Sequence, residues 1–267
     1  MIDWYQAIIL ALLQGFTEFL PISSSAHLVL PSLILNWPDQ GLAFDVAVHV
    51  GTLLAVLWYY RADLQLMSRD WFASLAGGSV TDNSRSVWYL AVATVPVGAV
   101  GLLGRGFIES ELRSLLVIAS TTLFFGLLLG LADRVAGGRG QTRLLSLSVA
   151  ILIGVAQSIA LIPGVSRSGA TITAGLFLGL GRQAAARFSF LLSIPVIASA
   201  GALKVWDLYR SGASVDWLIL AVGAAVSGLT AYLCIALFIR LLDRVGMAPF
   251  VYYRVFLALA LYGLWLL

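Results

Sequence analysis

Residues 12–28 read LLQGFTEFLPISSSAHL: an apolar run carrying Gln14 and Glu18 that meets a proline at position 21 and dissolves into three serines before resuming. A glutamate inside such a run costs about 2.5–3.5 kcal/mol at a bilayer centre on insertion scales, so it marks a partner or a wet pocket. Proline and the serine triplet end the helix. Only about ten apolar residues follow them, too few to cross a membrane. A second stretch has the same layout. From Leu144 to Leu180 an apolar helix is interrupted by PGVSRSG, which brings Arg167 to the break. Irregular backbone at membrane depth survives only where protein buries it or water lines it. Each pair is therefore expected to form a re-entrant helical hairpin.

The rest of the chain agrees with a membrane setting. Of its 267 residues 60% are hydrophobic and only 11% charged, where a soluble domain carries about 25%. The periodicity and length of the apolar runs predict six transmembrane helices at about 44–60, 86–104, 114–132, 188–204, 216–239 and 250–267. The expected fold is thus an all-α integral membrane protein with six transmembrane helices and two re-entrant hairpins. It forms one membrane domain over residues 1–267, with no room for a soluble one. The lone Cys234 excludes an intrachain disulfide and a zinc cluster built on thiolates. MIDWYQ lacks the positive start of a secretory signal, so the first helix is expected in the mature protein.

The hairpins align at an offset of 143, which sets Gln14 on Gln157, Pro21 on Gly164, Ser23 on Ser166, Ser24 on Arg167 and Ser25 on Ser168. Three spans lie between them, an odd number, so they enter from opposite faces as an inverted-topology repeat, with halves at about 1–132 and 144–267. Arg61, Arg69, Arg85, Arg134, Arg139, Arg143, Arg182, Arg187, Arg240 and Arg244 fall on one side, against Arg105, Arg113, Lys204 and Arg210 on the other. Ten against four makes the first side cytoplasmic. Both termini and the first hairpin's mouth then face outward. Arg254 is placed at the start of a span. The net charge of +3 reads as topology and not as affinity for nucleic acid.

Around Glu18 and Arg167 the sequence gathers Ser23, Ser24, Ser25, His27, Ser166, Ser168, Thr171 and Thr173. A plain ion pair pinning the hairpins, with one capping serine each, is the simplest account. It leaves a serine triplet beside a histidine unexplained. Two helix starts plus a guanidinium suited to bidentate contact point to a phosphate pocket. Gln14 and Glu18 share one helix face and are candidate ligands for a divalent cation that bridges two phosphates. His27, three residues after Ser24, is a candidate base or nucleophile. His49, in FDVAVHVGTLLAV, lies within a span, a candidate for the cavity lining without hydroxyls beside it.

At these residues the chain closely resembles the undecaprenyl pyrophosphate phosphatase family of the bacitracin-resistance type. The resemblance rests on LLQGFTEFLPISSSAHL and on PGVSRSGATIT at 163–173 and extends through nearly the whole chain. It implies hydrolysis of undecaprenyl pyrophosphate to the monophosphate and inorganic phosphate, which recycles the lipid carrier of cell-wall synthesis. The family's catalytic pattern falls on Glu18, Ser24, His27 and Arg167. Ser23, Ser25, Ser166, Ser168 and Thr171 fall around the phosphate. Gln14 stands where many members have Glu, which weakens the case for a two-carboxylate metal site. A divalent cation, Mg²⁺ or Ca²⁺, is the implied cofactor. The implied setting is the bacterial inner (plasma) membrane with the site opening to the periplasmic side. The partners are the prenyl diphosphate lipid and the bilayer, with a homodimer as one assembly and no nucleic acid. The phosphatidic-acid phosphatase class would need a second histidine after its Ser-Arg signature, and none follows Arg167. A transporter or flippase for an anionic prenyl lipid is the other reading, since broken helices in inverted repeats also build transporters. Ser24, His27 and an activated water all qualify as the attacking group.

Overall fold

The computed structural model describes residues 2–137, 145–211 and 215–266, so Arg139, Arg143 and the expected start of the second repeat at Leu144 lie outside the described residues. The described chain is helical. Helix α1 (Trp4–Thr17) leads through a break into α2 (Ser24–Leu28) and α3 (Leu30–Leu35). Then follow α4 (Gly41–Tyr59), the polar α5 (Arg61–Leu75), α6 (Asp82–Leu103), the short α7 (Arg105–Glu111) and α8 (Leu115–Val135). The second half comprises α9 (Leu147–Ile159), a break, α10 (Arg167–Phe177), α11 (Arg182–Ser211), α12 (Trp217–Val245) and α13 (Ala248–Leu266).

Six of these, α4, α6, α8, α11, α12 and α13, are long and apolar enough to cross a membrane, in agreement with the six expected spans. They run further than their apolar stretches because charged residues complete their ends. Arg182 opens α11 with a two-pronged contact to Asp133 of α8 at 2.6 and 2.9 Å, and Arg187 meets Asp63 of α5 at 3.0 Å. Asp216 caps α12 by accepting from the Leu218 and Ile219 N–H groups. Where α5 meets α6, Thr81 and Asn83 donate to Asp70 at 2.9 Å, which holds that carboxyl below its ordinary range. The five helices flanking the two breaks are too short to cross. They have 14, 5 and 6 residues before α4, then 13 and 11 before α11.

Packing places these segments at the centre of the molecule. Helix α12 lies against α1 and α4, α9 against α6, α4 against α11, α13 against α8, and α10 against α8, α9 and α11. The Ser227 hydroxyl of α12 donates to the Val48 carbonyl of α4 at 2.9 Å. Under the breaks runs a chain of aromatic contacts, Phe19 to Phe190, Phe190 to Phe238 and Phe238 to Phe250, with ring centroids 5.3, 5.6 and 5.3 Å apart.

Both breaks share one backbone device. Ser23 and Ser166 have φ of 72° and 71°, a conformation that costs a non-glycine residue about 1–3 kcal/mol and must be held by its surroundings. The holding group is Arg254 of α13, fully buried instead of flanking a span as the sequence suggests. Its Nε donates to Thr122 O at 3.0 Å, Nη1 to Pro21 O at 3.2 Å and Val165 O at 3.0 Å, and Nη2 to Thr121 O at 3.4 Å and Gly164 O at 2.9 Å. All five guanidinium N–H groups are thereby used, on the first break, the second break and α8. Gly126 and Gly169 make room for it, since a Cβ at either would stand 2.9 Å from the Arg254 side chain. Neighbouring hydroxyls satisfy other break groups: Ser168 Oγ donates to Leu20 O at 2.8 Å, Thr121 Oγ1 to Pro163 O at 2.6 Å, and Ser25 Oγ accepts from Gly164 N at 3.2 Å.

Replacing Arg254 by Met removes a donor from all five carbonyls, and those of Pro21 and Val165 have neither the helical N–H groups that Thr121 and Thr122 keep in α8 nor the Thr122 hydroxyl that Gly164 keeps. It should lower the thermal unfolding midpoint in detergent by the equivalent of about 3–5 kcal/mol. Arg254→Lys, with three donors, should fall between the two proteins, and an unchanged midpoint for Arg254→Met would refute the clamp.

Candidate active site

The end of α1 and the start of α10 bring the two intramembrane charges together. Glu18 continues the α1 helix, its N–H bonding to Gln14 O at 3.0 Å, so its carboxylate points into the gap that the break opens. Arg167 is the first residue of α10. Its Nη2 donates to Glu18 Oε1 at 3.2 Å and its Nη1 to the Ser189 carbonyl of α11 at 3.0 Å. The guanidinium carbon sits 5.7 Å from the Phe19 ring centroid. The pair is nearly closed off, with side chains 9% and 13% exposed. The other carboxylate oxygen, Oε2, accepts from Ser24 Oγ and from Gln14 Nε2, each at 3.0 Å, and His49 Nε2 stands 4.0 Å away.

These groups line one cavity of about 240 Å³, whose wall includes Glu18, Ser24, Ser166, Arg167, His49 and Lys204. Ser23 and Ser25 also reach it, and their hydroxyls lie 3.1 Å apart. Ser168, Thr171 and Thr173 are buried behind the wall. The Thr171 hydroxyl lies 2.7 Å from Ser189 Oγ, on the residue whose carbonyl holds Arg167, and Ser166 Oγ caps Gly169 N–H at 3.1 Å. The Thr173 hydroxyl has no protein partner.

His27 is not placed beside the Ser24 hydroxyl. Its Nδ1 lies 2.7 Å from Ser23 O and is therefore the protonated nitrogen, which leaves Nε2 to accept from the Tyr253 hydroxyl at 2.6 Å. Both ring nitrogens are engaged, and the ring is buried outside the cavity lining. Helix α2 begins only at Ser24, whose side chain is drawn back to Glu18 while His27 turns toward α13. The imidazole that does reach the cavity is His49, oriented by Nδ1 donating to Asp45 O at 2.7 Å.

The donor set does not fit a resident divalent ion. Among the described residues no group of three His, Cys, Asp or Glu comes together. Gln14 is fully buried, stands outside the cavity lining and gives its amide N–H to Glu18. Glu18 already has three hydrogen-bond donors on its two oxygens, one of them cationic. Gln14 thus serves to hold the carboxylate. Tyr253, Arg254 and Ser189 escaped the sequence reading. His49, a polar residue within an apolar run and one helical turn after Asp45, was the available signal for the α4 side of the cavity wall.

Comparison with known proteins gives concordant matches. The profile of the family described as bacitracin resistance protein BacA matches residues 7–260. The chain is 59% identical over 261 residues to the undecaprenyl-diphosphatase of Alcanivorax borkumensis, covering 97% of this chain and 98% of that one. It is 55% identical over 260 residues to the undecaprenyl-diphosphatase of Teredinibacter turnerae, with the same coverage. A third relative, undecaprenyl-diphosphatase 2 of Stutzerimonas stutzeri, is 54% identical over 262 residues, 97% of each chain.

Glu18→Gln strips the buried Arg167 of its counter-charge and should cost roughly 3 kcal/mol, read as a lower unfolding midpoint in detergent. Inorganic phosphate should recover more stability in this variant than it adds to the unsubstituted protein, because an anion replaces the missing charge. Equal gains in both would show that phosphate does not reach Arg167.

Proposed function

The chain belongs to the bacitracin resistance protein BacA family, and on that premise we propose that it hydrolyses undecaprenyl diphosphate to undecaprenyl phosphate and inorganic phosphate at the cavity around Glu18, Ser24 and Arg167. The observation that carries this reading is the unbroken chain Ser24 Oγ–H to Glu18 Oε2, Glu18 Oε1 to Arg167, in one cavity. It supplies a hydroxyl, a base to take its proton and a cation for phosphoryl oxygens. Ser24 Oγ attacks the terminal phosphorus as its proton passes to Glu18. The bond to the bridging oxygen breaks and the prenyl phosphate departs, taking the proton from Glu18. Water, deprotonated by Glu18, then attacks the phosphoserine phosphorus; the Oγ–P bond breaks, inorganic phosphate leaves and Glu18 returns the proton to Ser24 Oγ. Arg167 holds the transferring oxygens. With both nitrogens engaged, His27 acts as a brace on Ser23, at the strained turn before the nucleophile. Any divalent-ion requirement belongs to the substrate, whose own oxygens supply most ligands.

The architecture read for this activity is a pair of re-entrant hairpins in an inverted repeat. Support comes from the matched φ at Ser23 and Ser166 and from paired contacts, since α1 against α12 has its counterpart in α9 against α6. The site opens on the periplasmic face of the inner membrane: the cavity wall reaches Lys204 near the end of α11, on the side poor in basic residues. Recycled carrier lipid and bacitracin resistance follow from activity on that face.

Phosphate release from undecaprenyl diphosphate by the purified protein in detergent, with and without chelator, separates hydrolysis from transport. Ser24→Ala and Arg167→Lys should each lose about 100-fold or more in kcat, and rapid quenching should trap phosphoserine. Phosphate trapped on His27, or near-normal turnover of Ser24→Ala, would overturn the assignment. For the orientation, single cysteines at Asn36 and Ser79 on a Cys234→Ala background are exposed sites. In intact cells an impermeant thiol reagent should label the first and spare the second. The reverse pattern would invert the topology.

A further inference from the structure

Fifteen of the sixteen basic residues are arginines, and the one lysine, Lys204, stands in the cavity wall. Its Nζ lies 3.9 Å from Asp45 Oδ2, beyond hydrogen-bond distance, and the two side chains are 42% and 29% exposed. The contact is loose and solvent-screened, so it does little to clasp α4 to α11. Asp45 is itself steadied on its other oxygen by Gln40 Nε2 at 3.1 Å. Asp45 lies one turn before His49, about 6 Å along α4, and His49 is the residue 4.0 Å from Glu18. The lysine therefore stands at the mouth and Arg167 at depth. The α11 wall leading to it, Val196, Ile197, Ala200 and Gly201, carries no charge.

We propose that Lys204 binds the lipid-linked phosphate of the diphosphate, with Asp45 as the resident anion which that phosphate displaces. This rests on the hydrolase reading above. With the terminal phosphate at Ser24 and Arg167, the second phosphate and the prenyl chain extend toward the mouth. An ammonium on a flexible stem suits this position, because it can follow a phosphate that departs, whereas a planar guanidinium fixes one geometry. Lys204 is then a specificity determinant for a second phosphate and does not touch the phosphorus under attack.

The test compares Lys204→Gln, Lys204→Arg, Asp45→Asn and the Lys204→Gln/Asp45→Asn pair in detergent. KM and kcat are measured with undecaprenyl diphosphate, and inhibition with undecaprenyl monophosphate and with inorganic phosphate. Lys204→Gln should raise KM and weaken monophosphate inhibition roughly five- to tenfold, with inorganic phosphate inhibition unchanged. Lys204→Arg should restore most of the loss. Asp45→Asn should lower KM, and the double variant should behave as Lys204→Gln alone. If Lys204→Gln and Asp45→Asn shift KM in the same direction, the pair is only a helix contact and the proposal fails. Unchanged kinetics in Lys204→Gln with an active parent protein overturns it as well. No phosphate release by the parent protein would instead refute the hydrolase reading.

Discussion

A peptide group freed from a helix inside a bilayer has no water to turn to, and this chain frees several at two places. The partner that both places share is a single guanidinium, beside the hydroxyls of Ser25, Thr121 and Ser168. Arg254 contributes five N–H groups to carbonyls of both breaks and of α8. Among the described residues its charge has those carbonyl dipoles, and no carboxylate, as first neighbours. A buried cation is costly to desolvate, and here the cost is offset by complete hydrogen bonding and by carbonyls that would otherwise be orphaned. The proposed site hangs on that exchange, because the same breaks aim Glu18, Ser24 and Arg167 at one volume.

The charge pattern around that volume is graded. At depth Arg167 and Glu18 cancel at 3.2 Å, while Arg254 behind them is balanced only by dipoles. Toward the mouth Asp45 and Lys204 form a second, looser pair. The inner end therefore carries an excess positive charge before any ligand arrives, which favours an anion over a neutral or cationic guest. Gln14 fits this scheme. A second carboxylate beside Glu18 would offset the excess, whereas the amide holds Glu18 without adding charge.

Much of this was legible in the sequence. Hydropathy located six spans because a bilayer demands long apolar runs, and Glu18 and Arg167 stood out because intramembrane charge is rare. Arg254 was misread because its partners are backbone carbonyls, which leave no letter in the sequence, and an arginine between Tyr253 and Val255 resembles an interfacial anchor. The spacing of Ser24 and His27 did not show where their side chains go, because Ser24 Oγ is drawn back to Glu18 while the imidazole is held between Ser23 O and the Tyr253 hydroxyl. The cavity mouth was hidden for a third reason. Asp45, His49 and Lys204 come from two helices far apart in sequence, and their convergence depends on α4 packing against α11.

Arg254 also sets a timetable. The chain is made from its N-terminus, and the clamp belongs to α13, which follows every other described helix in chain order. Until that helix is synthesised and inserted, the carbonyls of Pro21 and Val165 await their donor, and both serine turns lack the contact that holds them strained. An incomplete chain can thus contain Glu18, Ser24 and Arg167 and still present no organised cavity around them. Ribosome stalling or proteolysis near the end would leave a fragment with its spans intact and its backbone unsatisfied at the centre, a ready substrate for membrane quality control.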